Sequence, residues 1–111
     1  SIEEEIKMLD ETIINQAYEN LMTIRVKVYN ANVKLIDAQS KLATSKIENY
    51  AAGRIDGNNE TDRKAQYAEY CMAENDMVEE AEKDIMLVQF KFDLATYEVN
   101  RINTLIKWLS I

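Results

Sequence analysis

From Val78 to Leu109 apolar side chains return at alternating intervals of three and four: Val78, Ala81, Ile85, Val88, Phe92, Ala95, Val99, Ile102, Ile106 and Leu109. That period puts them on one stripe of an α-helix and predicts a coiled-coil-type seam. Extended backward, the stripe meets Glu74, Cys71 and Tyr67, so one acidic residue interrupts it. The first half of the chain carries a matching stripe through Ile6, Leu9, Ile13, Ala17, Leu21, Ile24, Val28, Ala31, Leu35, Ala38 and Leu42. Repeated steps of four around Ala17 predict local unwinding of a left-handed supercoil.

Both glycines of the chain lie in Gly53-Arg54-Ile55-Asp56-Gly57-Asn58-Asn59, and there is no proline. Gly53 tolerates the left-handed conformation that ends helices, and Asn59 is suited to cap the next helix by accepting from the amide of Thr61 or Asp62. Glu60 and Asp62 then place negative charge in the first turn, where the helix dipole favours it. The predicted fold is all-α: a long antiparallel helical hairpin forming a single domain, with arm one over about 2–52, a turn over about 53–59 and arm two over about 60–110. Arm two contains no strong breaker, and arm one has weak points at Asn30-Ala31-Asn32 and Ala43-Thr44-Ser45. A reversal centred on residue 56 sets residue 34 opposite residue 78 and residue 45 opposite residue 67.

One seam does not absorb all the apolar residues. Arm one has a second stripe, Ile14, Tyr18, Met22, Val26, Tyr29, Val33, Ile36, Ala43, Ile47 and Tyr50, and arm two adds Leu87, Phe90, Leu94, Tyr97 and Trp108 off its seam. The two stripes of arm one are roughly 100 to 150° apart, more than a two-helix contact covers. Dimerisation of two hairpins into a four-helix bundle is the expected solution, with Tyr18, Met22, Tyr29, Val33, Ile36, Leu87 and Leu94 as the candidate oligomer face. The alternative is a chain bent into three or four shorter helices that cover one another.

Charge refines this picture. Twenty acidic and 13 basic residues leave a formal charge of −7, which argues against nucleic acid as a partner. The charges are segregated: residues 25–46 are basic and 69–84 acidic, so the predicted pairing sets them opposite each other. Direct nucleic-acid binding through Arg25, Lys27, Lys34, Lys41 and Lys46 would require those side chains to escape the facing carboxylates. Surface pairs of this kind contribute at most about 1 kcal/mol each and act mainly on register.

The chain has no histidine and one cysteine, Cys71. Serine triads, His-assisted thiol chemistry, ordinary zinc sites and the Glu-x-x-His pairs of carboxylate bundles therefore lack their usual parts. No catalytic residue, metal site or cofactor is assigned, and the protein is expected not to be an enzyme. Asp56-Gly57-Asn58-Asn59-Glu60-Thr61-Asp62 resembles a calcium loop only in part, since Thr61 occupies the glycine position and Tyr67 the position of the bidentate glutamate. Asn59-Glu60-Thr61 fits a glycosylation triplet, but the helix cap is the simpler role. Cys71 falls on the seam and is expected to be packing. The acidic start Ser1-Ile2-Glu3-Glu4-Glu5, the single thiol and the lack of an apolar run near the ~18 residues of a membrane span lead to the expectation of a cytoplasmic protein with no membrane contact.

Tyr50, Arg54, Arg63, Tyr67 and Tyr70 gather near the turn, residue types enriched at interfaces, and form a candidate partner-binding tip. The simpler role is closure of the end of the helical pair. The turn itself, Gly53-Arg54-Ile55-Asp56-Gly57-Asn58-Asn59-Glu60-Thr61-Asp62-Arg63-Lys64-Ala65 followed by Glu69, resembles short helical proteins of phages and prophages, often of unassigned function and encoded near recombination or single-strand annealing genes. The resemblance implies a small phage accessory protein in a bacterial host, with Gly53, Gly57, Asn59, Glu60 and Arg63 as its motif and no catalytic residue. The expected function is therefore protein–protein interaction and self-association. The alternative is an acidic DNA mimic, presenting Glu79, Glu80 and Glu82 as a decoy to a host nuclease or another DNA-binding defence protein.

Overall fold

The computed structural model describes residues 1–109, with the side chains at positions 6, 8, 9 and 10 outside that description. The seam positions Ile6 and Leu9 and the far end of arm two at residue 110 lie outside the described residues. Three helices account for the fold: α1 (Ile2–Ala51), α2 (Glu60–Tyr70) and α3 (Met72–Leu109), with no strand among the described residues.

α1 runs without interruption through both weak points, because neither contains glycine or proline and Ala31 and Ser45 are held by burial. Its end is a Schellman motif. Gly53, at φ +74°, donates its amide to the Tyr50 carbonyl at 3.1 Å, and the Arg54 amide reaches back to the Asn49 carbonyl at 3.1 Å. α2 begins where expected: the Asn59 side chain accepts from the Asp62 amide at 2.8 Å. The second arm is not continuous, however. It breaks at Cys71, whose φ of −108° and ψ of 22° leave the helical region while the backbone bonds Cys71 to Tyr67 and Asn75 to Cys71 persist at 2.9 Å. No glycine or proline marks this site. The break coincides with the most deeply buried side chain of the described residues.

The chain forms two compact units. The first combines Ser1–Asn30 with Met86–Ile111. Its core is the predicted seam: Ala95, Val99 and Ile102 are buried, and Leu21, Ile24, Val28, Val88, Phe92 and Ile106 half-buried. Asn103 donates to the Tyr18 hydroxyl at 3.2 Å, joining α1 to α3 within this unit.

The second unit spans Ala31–Ile85. Small residues, Ala31, Ala38 and Ala81, fill its buried seam positions, which lets helices pack closely. Ser45 and Asn49, also buried, continue the stripe at three and seven residues beyond Leu42. Contacts in this unit depart from a reversal centred on residue 56: Ser45 meets Cys71, four residues beyond position 67, and Lys34 reaches Asp84, six beyond position 78. The connection is responsible. Instead of turning tightly, it folds along the first turns of α2, where the Gly57 amide donates to Gln66 Oε1 at 2.9 Å, Gln66 Nε2 to Asp56 at 2.7 Å, and Arg63 to the Gly57 carbonyl at 3.1 Å. Ile55 is buried at this junction.

Candidate interaction surfaces

A buried polar cluster organises the second unit. Ser45 Oγ lies 3.4 Å and Asn49 Nδ2 3.7 Å from Cys71 Sγ, both as donors. Asn49 Nδ2 also donates to the Ser45 carbonyl at 2.8 Å, and Asn49 Oδ1 accepts from Arg54 at 3.0 Å. Every buried side-chain nitrogen and oxygen of this cluster has a partner, as it must to avoid an uncompensated desolvation cost. Sequence patterning missed Ser45 and Asn49 because they are polar; the three-then-four step after Leu42 is the signal that lands on them.

The same network decides what the tip presents. Arg54 is tied to Asn49 and Arg63 to the Gly57 carbonyl, so both guanidinium groups brace the connection. Tyr67 is half-buried, while Tyr50 and Tyr70 remain exposed. Tyr67 lines a shallow recess with Lys46, Glu60, Arg63 and Lys64.

The candidate oligomer residues Tyr18, Met22, Tyr29, Val33, Ile36, Leu87 and Leu94 are all exposed, as are Val26, Phe90, Tyr97 and Trp108. Those of the first unit do not form one surface. In the first unit, Tyr18 touches Asn103 of α3, whereas Asn20 shares a groove with Ile24, Lys91, Leu94, Ala95 and Tyr97. Residues 18 and 20 are about 160° apart on a helix, so these contacts are on opposite sides of the α1–α3 pair. Met22 and Tyr29 follow the Tyr18 line of α1, and Leu87 follows the Leu94 line of α3.

Among the described residues, three of the four ion pairs that can be placed are local, counting that of the N-terminal amine with Glu4. Lys41 pairs with Asp37 at 3.2 Å and Arg101 with Glu98 at 2.6 Å, each within one helix. The Arg101 guanidinium, donating two hydrogen bonds, holds the exposed Glu98 carboxyl below the usual carboxylate range. Lys34–Asp84, at 3.8 Å, is the one ion pair among the described residues that joins the basic and acidic windows. The two windows thus share one direct ion pair among the described residues, and none reaches Glu79, Glu80 or Glu82, all exposed. Glu80 lines a groove with Lys34, Asp37, Lys41 and Met77.

Among the described residues no group of three or more His, Cys, Asp or Glu side chains is arranged to hold a metal ion, and no helix is long and apolar enough to cross a membrane. No protein-family model, curated protein or solved structure matches the chain.

Proposed function

We propose that the protein is an antiparallel helical hairpin that self-associates and acts by binding proteins, with no catalytic step of its own. Phage-type accessory work is the setting that the turn motif favours. The observation that carries the reading is the set of large apolar side chains left in the open by one chain. The chain's total accessible area, polar and apolar together, is 8774 Å² for a mass of 12.9 kDa, against roughly 6,300 Å² for a folded globular monomer of that mass. The excess of about 2,500 Å² per chain is at the upper end of the roughly 1,000–2,500 Å² that an obligate pair removes from each partner. Much of the apolar surface lies in exposed rows of Tyr, Met, Val, Leu and Phe on α1 and α3, residue types that serve as interface anchors.

A pair of hairpins is the smallest assembly that covers such a row. Sedimentation at micromolar concentration is expected to give a species at least twice the chain mass. A stable monomer across that range would refute the self-association.

The acidic patch supports a second reading, in which Glu79, Glu80 and Glu82 mimic phosphates to a basic DNA-binding target. What favours it is that these carboxylates are exposed and outside the ion pairs of the described residues. Competition with DNA for such a target is expected to weaken with salt and to be lost in the triple glutamine variant of these positions. Undiminished competition by that variant would rule the decoy out.

A further inference from the structure

We infer that the cationic recess beside the connection, lined by Lys46, Arg63 and Lys64, receives the exposed carboxylates of Glu79 and Glu82 from a second copy of the chain. The inference rests on the self-association proposed above and names the contact that sets the register of the pair.

Lys46 comes from α1, and Arg63 and Lys64 from the first turns of α2, where they share the recess with Glu60 and Tyr67. Three cations against one carboxylate leave the recess at a formal +2, in a chain whose total is −7. Arg63 is held by the Gly57 carbonyl, and no ion pair among the described residues reaches any of the three cations. Like charges gathered without a counter-charge repel one another, so the recess favours an anionic group.

Glu79 and Glu82 supply the opposite sign in matching amount. They stand on one side of α3, about 4.5 Å apart along its axis, exposed and outside the ion pairs of the described residues. Glu80, between them in sequence, belongs instead to the groove with Lys34 and Lys41. Within one chain the two patches are held apart. The contact of Ser45 with Cys71 sets Lys46 near the level of Cys71. Glu79 and Glu82 follow Cys71 by 8 and 11 residues, or roughly 12 and 16 Å of helix, and Lys64 precedes it on the other side. These separations exceed the ~8 Å over which exposed charges act at physiological salt.

A second copy joins what one chain separates. Each copy offers both the recess and the carboxylates, so a two-fold pair makes the contact twice and closes. Charge contacts of this kind choose which patch meets which, while the apolar side chains supply the area. A nucleic-acid strand suits the recess less well, because its phosphates run on past it over a chain of net charge −7, whereas two carboxylates end where the cations end.

The test is charge reversal with complementation on the full chain, read by sedimentation velocity and light scattering. One variant reverses the recess (Lys46→Glu, Lys64→Glu) and the other the carboxylates (Glu79→Lys, Glu82→Lys), with circular dichroism verifying the helix content of each. Each variant alone is expected to raise the dissociation constant of the pair at least ten-fold. The second variant is the sharper probe, since it takes the net charge from −7 to −3 and would associate more tightly if net repulsion alone mattered. An equimolar mixture of the two is expected to recover the wild-type mass, because every recess then meets carboxylate or lysine of opposite sign; charge contacts within a chain are unaltered by mixing. If a reversal lowers helicity, chains carrying Lys64→Cys are mixed with chains carrying Glu82→Cys under oxidation, and a disulfide between the two kinds is expected to form faster than within either. Association that neither reversal weakens, variants that fail to restore each other on mixing, or the absence of that preferential cross-link overturns this contact while leaving self-association standing. A monomeric wild type overturns both.

Discussion

The two glycines do different jobs. Gly53 sits at φ +74° with open space where a Cβ would stand, so its role is conformational. Gly57 has no such requirement; a Cβ there would lie 2.7 Å from Asp62 Cβ and 2.9 Å from the Arg63 nitrogen, so its role is to let the connection approach α2. Gly53→Ala is expected to cost about 1 kcal/mol through backbone strain alone. Gly57→Ala should cost more, because backbone must move and the bonds to Gln66 and Arg63 are disturbed with it. Denaturant titration of the two variants at one protein concentration checks the order; equal losses would show that the close approach at Gly57 is easily relieved.

At the scale of helices, boundaries written in side-chain chemistry were readable and those written in tertiary contacts were not. The start of α2 follows from Asn59, whose side-chain oxygen takes up the Asp62 amide. Asn59→Ala is expected to destabilise by about 1 kcal/mol, and Asn59→Ser to retain most of the stability, as judged from thermal and denaturant melts. The seam through Val88, Ala95 and Val99 was legible for a similarly local reason, since the apolar period of a helix is fixed by its geometry. The interruption at Cys71 has no such mark. It arises where a fully buried thiol meets Ser45 and Asn49 from a helix more than 20 residues away, and those two polar residues look like solvent-facing positions until the stripe is carried past Leu42. The pairing within Ala31–Ile85 was misjudged by one to two helical turns for the same reason. The length of the connection is visible in sequence, but its folding against Gln66 and Arg63 is set by contacts between distant side chains.

For the molecule as a whole, composition indicated an excess of apolar residues over what one seam absorbs, and the structure shows where that excess stands. Sequence periodicity assigned Tyr18, Met22, Leu87 and Leu94 to one candidate surface, because a stripe on each helix says nothing about which side of a neighbouring helix it falls on. The contacts of Tyr18 and Asn20 supply that information. Charge segregation was equally plain in sequence, but which pairs it yields was not: Lys34 reaches across to Asp84, whereas Lys41 finds Asp37 one turn away on its own helix. Glu79, Glu80 and Glu82 stay exposed, while Glu74 and Asp84 of the same window are half-buried.

The setting of Cys71 has a practical corollary. With its sulfur enclosed and engaged by two donors, the native thiol should stay silent toward maleimides and spin-label reagents while the fold is intact. The natural chain therefore serves as its own unreactive background, and a cysteine added at an exposed position such as Met86 or Lys64 will be the one that carries the probe.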